Sequence, residues 1–452
     1  MKRKIYSELL EWKTNRSTKE ALLIEGARRV GKSYIVEAFA RREYDSYILV
    51  DFSTLSSEQL DLFDNYLNKK DLDVFFRLIS LEWGVKLKER HSLIIFDEVQ
   101  KYPKARQAIK MLVADHRYDY IETGSLVSIR KNTKGVLIPS EERKIPLSPM
   151  DFEEFLWAVG EDQLMDYTRE CFAKQEHLQP ALHRKMMLLL RTYMIVGGMP
   201  QAVQTWVETQ DFEQVDKAKR LVLDLYRNDI YNYAGIYAEK TIRIWDSIPA
   251  QLQRHEKRFR IGFLKQGART RDYQNALFWL KEARIVNFCV AATEPNVGLS
   301  MNEDDSRYKL YLNDTGLLIS HSFSDNLQNL NELYKKLMLG KLEINKGMLV
   351  ENLVAQMLEA TGRKLFFFAH HDANHKDDTM EIDFLIRKTK VTSRKNISPI
   401  EVKSTQRYTL GSLKKFQLKY AEYCATTYVL HAAEYKQLEG ITYLPLYMTV
   451  CL

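Results

Sequence analysis

The sequence predicts an α/β protein built in several parts. Near the start, the apolar stretch LLIEG precedes a glycine-bearing turn and the helical pattern YIVEAFARR, so a strand, a loop and a helix follow in that order. Residues 151–240 carry apolar side chains at helical spacing, and toward the C-terminus the pattern becomes helix, three strands and helix. With 452 residues, the chain has room for roughly three domains.

These patterns divide the chain at three places. We predict an α/β domain over residues 1–150, a helical lid or connector over 151–240, a winged-helix-like region over 241–340 and a second α/β domain over 341–452. The third assignment depends on TRDYQNALFWLKEARIVNFCV, in which a polar cap, an amphipathic helix and a strand follow one another, as they do in a winged helix.

Composition and charge exclude several classes of protein. Hydrophobic residues make up 45% of the chain, yet no apolar run approaches the length needed to cross a bilayer, so we expect no membrane protein. The N-terminus lacks the apolar core of a secretory signal, and the four cysteines form no C-x-x-C pair. Both features favour a cytoplasmic location. The net charge of +7 permits a polyanionic partner without requiring one.

The turn after the first strand has the spacing of a phosphate-binding loop. GARRVGKS matches G-x-x-x-x-G-K-[ST] and lies between a strand and a helix, as this motif requires. Its glycines allow backbone N–H groups to wrap phosphates, Lys32 can reach the β- and γ-phosphates, and the Ser33 hydroxyl can bind Mg²⁺. The predicted nucleotide-binding residues are Gly26, Ala27, Arg28, Arg29, Val30, Gly31, Lys32 and Ser33. Arg28 and Arg29 either neutralise phosphate or face solvent.

Two later strands supply further polar groups. The buried strand of HSLIIFDEVQK ends at Asp97 and Glu98, where an α/β sheet binds its ligands. Asp97 is predicted to hold Mg²⁺, largely through water, and Glu98 to polarise the attacking water. In YDYIETGS, Thr123 either senses the γ-phosphate or simply bonds to local backbone.

Beyond the loop itself, IIFDEVQKYP, IETGS, IPLSPMDFEEFL and GGMPQAV together resemble bacterial and archaeal AAA-type ATPases that carry a characteristic C-terminal domain. The resemblance implies ATP and Mg²⁺ as cofactors and a P-loop fold of the additional-strand class. In that class one strand lies between the phosphate-loop strand and the strand that ends in Asp97, and SYILVDF and YDYIETGS provide the remaining strands. Arg143 stands where such proteins carry an arginine, and an oligomer is permitted.

A basic segment lies in the winged-helix-like region. Within RHEKRFRIGFLKQGARTR, cations alternate with Phe259 and Phe263, and such a pattern can bind phosphate backbones. The cations are Arg254, Lys257, Arg258, Arg260, Lys265, Arg269 and Arg271, opposed by Glu256. DNA or another nucleic acid is therefore a candidate partner. A solvated basic face used for protein contacts explains the pattern equally well.

The C-terminal part carries a second constellation. Asp383 lies in EIDFLI, and Glu401 and Lys403 are two residues apart in PIEVKS, so strand alternation places both on one face. This pattern resembles the PD-(D/E)XK restriction-endonuclease-like superfamily, although Ile382 stands in place of the proline. The resemblance implies Mg²⁺ at Asp383 and Glu401, a catalytic role for Lys403, and a further acidic group at Glu351.

Two further candidates lie in the same part. Gln417, on the following helix, is a candidate site residue of the nuclease-like constellation. HHDANHKDD places His370, His371 and His375 together, but its polar and irregular composition favours a loop over a dedicated metal site.

Two functional hypotheses follow. The first is an ATP-hydrolysing AAA-type ATPase coupled to a nuclease-like domain that acts on DNA. The alternative is an ATP-switched regulatory or binding module whose nuclease-like domain recognises nucleic acid or protein without cleaving it.

Overall fold

The computed structural model describes two compact units. The first comprises Met1–Ser148 with Glu282–Arg284, and the second comprises Pro149–Lys281 with Ile285–Leu452. The described residues are 1–67, 71–125, 139–254, 258–296, 298–323, 330–338, 346–371, 379–388, 393–405 and 407–452. Within these ranges no helix combines the length and the apolar character needed to span a bilayer.

The first unit is a parallel sheet with helices. Its elements are α1 (Ile5–Asn15), β1 (Ala21–Glu25), α2 (Lys32–Glu43), β2 (Ser46–Asp51), α3 (Ser57–Leu62), α4 (Leu72–Glu82), β3 (Ser92–Asp97), α5 (Pro103–Ala114), β4 (Asp119–Gly124) and β5 (Glu142–Pro146). The strand order is β2-β3-β4-β1-β5, and every pairing is parallel. Strand β4 therefore lies between the phosphate-loop strand β1 and the Asp97 strand β3, which is the additional-strand order expected from the resemblance.

Burial in this unit follows from the parallel sheet. Strands β1, β3 and β4 are buried along their whole length, because helices cover both faces of a parallel sheet. On one face, Phe52, Phe63, Phe96 and Tyr102 form an aromatic cluster with ring centroids 5.2 to 6.3 Å apart. This core fixes the carboxyl ends of β3 and β4 at one edge of the sheet.

The second unit begins with helices and continues into a larger sheet. Its helices are α6 (Phe152–Ala158), α7 (Asp162–Lys174), α8 (Pro180–Val196), α9 (Pro200–Thr209), α10 (Phe212–Tyr233), α11 (Ala238–Leu252), α12 (Gln274–Glu282), α13 (Thr315–Ser322), α14 (Leu330–Met338), α15 (Lys346–Ala360) and α16 (Gly411–Lys419). Its strands are β6 (Val286–Ala292), β7 (Glu303–Leu312), β8 (Leu365–His370), β9 (Met380–Arg387), β10 (Ile397–Val402), β11 (Thr427–His431), β12 (Lys436–Leu438) and β13 (Ile441–Pro445). The helices between residues 151 and 240 agree with the apolar periodicity there.

One mixed sheet of eight strands runs through this unit in the order β12-β13-β11-β10-β9-β8-β6-β7. Strands β6 and β7 form the hairpin that follows α12, and β6 also pairs in parallel with β8. The hairpin is thus continuous with the sheet of the C-terminal part, and α15 packs against β6, β7, β8 and β10. The winged helix and the domain boundary at residues 340/341 stay predictions. The same sheet contains strands from both sides of that boundary, namely β6 and β7 before it and β8 to β13 after it.

The segment GGMP has a packing explanation that the sequence does not reveal. The Asp314 carboxylate caps α13 by accepting from Leu317 N at 2.8 Å, and it also accepts from Gly198 N at 2.5 Å. A Cβ atom at Gly197 would lie 2.2 Å from Asp314 Oδ1, and one at Gly198 would lie 2.0 Å from the Met150 carbonyl oxygen. Two glycines are therefore required where the end of α8 meets these groups.

Candidate functional site

The phosphate-binding loop has the backbone shape that its glycines predict. Gly31, directly before α2, has φ 93°, and Arg29 has φ 68°, so both lie in the left-handed region. A Cβ atom at Gly26 would lie 2.3 Å from the Leu147 carbonyl oxygen, which leaves room only for glycine. The loop thus opens into the N-terminus of α2, where N–H groups favour an anion.

Lys32 is folded into this loop. Its side chain is buried, and Nζ donates to the carbonyl oxygens of Gly26 and Ala27, both at 3.1 Å. Arg28 and Arg29 are exposed at the rim of the same loop. The predicted nucleotide-binding residues from Gly26 to Ser33 therefore form one continuous cradle, and their contacts with a nucleotide stay a prediction.

Arg3 supports the loop and was not predicted from the sequence. Its buried guanidinium donates to the Val30 carbonyl at 2.8 Å and to the Ser148 carbonyl at 2.7 Å. Arg3 precedes Val30 by 27 residues and belongs to no motif, so no local signal identifies it. The residue ties the phosphate-binding loop to the segment that follows β5.

Asp97 gathers hydroxyl groups from two other elements. It is 6% exposed, and its Oδ1 accepts from Ser33 Oγ at 2.9 Å and from Thr123 Oγ1. The three residues meet because the start of α2 and the ends of β3 and β4 lie at one edge of the parallel sheet. Thr123 thus bonds to Asp97. The hydroxyl of Ser33 and the carboxylate of Asp97 are oxygen ligands of the kind that Mg²⁺ takes, so this edge fits the ion.

Glu98 follows β3 in a left-handed conformation, with φ 51°. Its carboxylate accepts from Gln100 Nε2, a contact that the motif did not predict. Glu98 is only partly buried, which suits a group that must meet a water molecule. Arg143 lies elsewhere in this unit: its guanidinium is 3.4 Å from Glu11 and 3.8 Å from Glu20.

The predicted nuclease-like residues meet in the second unit. Glu351 lies on α15, Asp383 on β9 and Glu401 on β10, and Lys403 follows β10. Asp383 Oδ2 accepts from Val402 N at 2.9 Å, and Lys403 Nζ donates to Glu401 Oε1 at 2.6 Å. Gln417 does not join them, because its amide donates to the Gly440 carbonyl at 3.5 Å.

Lys309, on β7, lies among these carboxylates. Its Nζ atom is 3.2 Å from Glu351 Oε1, 3.1 Å from Glu381 Oε1 and 3.7 Å from Asp383 Oδ1. The Tyr311 hydroxyl donates to the same Glu351 oxygen at 2.5 Å. This cluster, which we call the carboxylate centre, consists of Lys309, Tyr311, Glu351, Glu381, Asp383, Glu401 and Lys403. Lys309, Tyr311 and Glu381 were not predicted from the sequence; the one available signal is the pair of polar side chains that flank Leu310 in YKLYL.

Burial dominates the electrostatics of the carboxylate centre. It raises the pKa of Glu401 to about 8, the Asp383 carboxylate adds to the rise, and Lys403 opposes it. Burial disfavours a charged Lys309, but the carboxylates of Glu351, Glu381 and Asp383 outweigh it and hold the pKa of the ammonium well above its usual range. The centre therefore contains a charged lysine in a buried position.

Most cations of the basic segment reach solvent. Arg254, Arg260, Lys265, Arg269 and Arg271 are exposed and Arg258 is partly buried, whereas Glu256 and Lys257 lie outside the described residues. Phe263 is 49% exposed, with the Arg254 guanidinium 3.6 Å from its ring centroid.

Phe259 differs from Phe263. It is buried and stacks on Tyr308 at 6.0 Å, so the sequence pattern of interleaved aromatics overstated its availability to a ligand. Among the histidines of the polar loop, His370 contacts Lys419 at 3.4 Å, His371 contacts Thr379 at 3.5 Å, and His375 lies outside the described residues.

Three family models match separate parts of the chain. An AAA domain matches residues 18–156, a domain of unknown function (DUF8612) matches residues 187–328, and a second domain of unknown function (DUF4143) matches residues 346–448. No curated protein matches the sequence.

Similar solved structures are distant. A Walker-type ATPase of Pyrococcus abyssi is 15% identical, with 71% of this chain and 95% of that chain covered and a TM-score of 0.41. The RuvB Holliday junction branch migration motor of Thermotoga maritima is 11% identical, with 63% and 87% covered and a TM-score of 0.28. Cdc6p from Pyrobaculum aerophilum is also 11% identical, with 74% and 92% covered and a TM-score of 0.23.

These distant likenesses carry no conclusion by themselves. The family model, the parallel sheet order and the loop at Gly26 to Ser33 agree with one another without them. Residues 18–156 are therefore an AAA-type P-loop ATPase domain.

Proposed function

We propose that the protein hydrolyses ATP with Mg²⁺ in its N-terminal domain. The observation that carries this proposal is the meeting of Ser33, Asp97 and Thr123 beside the loop that contains Lys32. Lys32 would leave the loop carbonyls to neutralise the β- and γ-phosphates, and Glu98 would accept a proton from the attacking water. A bound Mg²⁺, held by Ser33 and Asp97, would supply neutralisation of phosphate charge.

The test measures phosphate release and nucleotide binding in the full chain. In Lys32→Ala, we expect hydrolysis to fall to background because the phosphate contact is lost. In Glu98→Gln, we expect nucleotide binding to persist while the rate of ATP hydrolysis falls by about 10²–10⁴-fold, the usual contribution of a general base. Lys19→Ala, at an exposed lysine of the same unit, serves as the matched control. Hydrolysis at the wild-type rate in Lys32→Ala would refute the proposal.

For the rest of the chain, we propose an ATP-switched module that binds nucleic acid through the basic segment and whose C-terminal domain does not cleave it. The basic segment supports binding, since its cations are mostly exposed and the guanidinium groups of Arg254 and Arg260 lie 3.6 and 5.8 Å from the ring centroid of the half-exposed Phe263. The buried ammonium of Lys309 supports the absence of cleavage, because it lies where the carboxylates would need a metal. A mobility shift that weakens with salt is expected, and Arg254→Ala should reduce it. If neither DNA nor RNA is retained even at low salt, this binding is refuted.

Cleavage of DNA is the second candidate function. The convergence of Glu351, Asp383, Glu401 and Lys403 supports it, since these are the groups that the nuclease-like resemblance implies. Plasmid, linear and single-stranded DNA would be incubated with Mg²⁺ and ATP. Degradation that disappears in Lys403→Ala would establish the nuclease, and its loss in Lys32→Ala would show coupling to ATP. Continued ATP hydrolysis without degradation would favour the binding module.

A further inference from the structure

Lys309 is an unusual residue for its position. It is 1% exposed, on a strand whose following residues through Leu312 are buried, and its Cα pairs with that of Cys289 on β6. An isolated ammonium in such a place is very costly, and the cost is offset only when anions surround it. Here Glu351 and Glu381 lie within 3.2 Å of Nζ, and Asp383 lies at 3.7 Å.

The same carboxylates also require a cation. Three carboxylates close together repel one another unless a positive charge lies between them. In a Mg²⁺ or Ca²⁺ site the ion would lie at about 2.0–2.6 Å from each oxygen. In this structure the ammonium lies between the carboxylates at hydrogen-bonding distances instead. Among the described residues, no group of three or more histidine, cysteine, aspartate or glutamate side chains is placed to hold a metal ion.

The surrounding bonds fix this arrangement. Glu351 is itself buried and accepts from the Tyr311 hydroxyl, while Asp383 accepts from the Val402 backbone. These contacts leave the carboxylates oriented toward Lys309 from α15 and β9. Lys309 arrives from β7, the strand that joins the sheet through β6 and lies outside the segment with the nuclease-like pattern.

We propose that Lys309 is the resident cation of the carboxylate centre and takes the place of a divalent metal ion there. The residues present therefore do not fit a Mg²⁺ site, and the centre is metal-free in the native protein. This inference deepens the proposal that the C-terminal domain does not cleave nucleic acid. It rests on that proposal for its functional interpretation, whereas the contacts of Lys309 carry the inference itself. Removal of the ammonium should convert the centre into a divalent-cation site, because the carboxylates would then lack a counter-ion.

The experiment titrates Mn²⁺ into the nucleotide-free full chain and measures free Mn²⁺ by electron paramagnetic resonance. The wild type and Lys309→Arg, which keeps the charge, should bind no Mn²⁺ at the centre. Lys309→Met should gain about one Mn²⁺ per chain, and Lys309→Met with Asp383→Asn should lose that gain. Any Mn²⁺ held by the ATPase domain is common to all variants and cancels in the comparison.

Two outcomes would overturn the inference. One is a Mn²⁺ ion bound by the wild type and lost in Asp383→Asn alone, a comparison that does not require Lys309→Met to fold. The other is a folded Lys309→Met protein that gains no Mn²⁺. Phosphate release, measured after ATP and Mg²⁺ are added to separate portions of the same protein preparations, separates this result from the proposed ATPase activity, since Lys32→Ala should stop hydrolysis without changing the Mn²⁺ count.

Discussion

Arg3 offers a test of how the phosphate-binding loop is held ready for its ligand. Arg3→Met keeps much of the side-chain length but removes the two hydrogen bonds to the carbonyls of Val30 and Ser148, at 2.8 and 2.7 Å. Hydrogen bonds from a charged donor contribute about 1.5–3 kcal/mol each, and they are not additive. We therefore expect the first unit to lose about 2–4 kcal/mol of stability.

The effect on nucleotide binding follows from the ordering of the loop. Fixing the backbone of one residue costs about 1–2 kcal/mol. If Arg3 holds Val30 in place before the nucleotide arrives, Arg3→Met transfers that cost to the binding step. The dissociation constant should then rise by about 5–30-fold. The maximal hydrolysis rate should change less, because Arg3 contacts the loop backbone and none of the residues expected to act on water.

The assay combines titration of a fluorescent ADP analogue with urea unfolding. Arg16→Met is the matched control, since this arginine is 53% exposed and its ion pairs to Glu11 and Glu20 are 3.6 and 3.8 Å long. Exposed pairs of this kind contribute about 0–1 kcal/mol, so the control should bind nucleotide like the wild type. A folded Arg3→Met protein with the wild-type dissociation constant would refute the reasoning.

Two further predictions concern the second unit. Gly198→Ala should destabilise the protein by about 2 kcal/mol or more, because its Cβ would lie 2.0 Å from the Met150 carbonyl oxygen, and thermal unfolding should detect this. Gly411→Ala, where a Cβ meets nothing within 4 Å, is the control, and equal melting temperatures would contradict the packing argument. Burial lowers the pKa of Lys219 from 10.5 to about 8, so between these values the unfolded chain binds more protons and stability rises with pH. Relative to Lys219→Met, the free energy of unfolding of the wild type, measured with urea, should rise by about 2 kcal/mol between pH 7.5 and 9.5. A difference in this free energy between the two proteins that stays constant over the range would exclude the lowered pKa.

Local patterns predicted an AAA-type P-loop domain because the segments that identify it are each contiguous in the sequence. Gly31, Lys32 and Ser33 need only a turn between a strand and a helix, and Asp97 needs only the end of a buried strand. A parallel sheet then brings such ends to one edge, so the meeting of Ser33 with Asp97 follows from local order plus a general topological rule.

The aromatic residues of the basic segment show where such inference stops. Phe259 and Phe263 have the same local composition around them, but one is buried against Tyr308 and the other is half-exposed. Which of two similar residues packs inward depends on the strand that passes beside them, and the segment itself carries no information about that strand.

The sequence by itself determined the phosphate-binding loop, the Asp97 strand and the helical middle, since each depends on residues that are neighbours along the chain. Only the tertiary structure decided that Arg3 supports the loop and that Lys309 lies among Glu351, Glu381 and Asp383. The physical reason is that these residues are joined by electrostatic attraction and burial across long stretches of chain. Lys309 and Glu351 are 42 residues apart, and only the pairing of β6 with β7 and β8 and the packing of α15 against them bring their charges together.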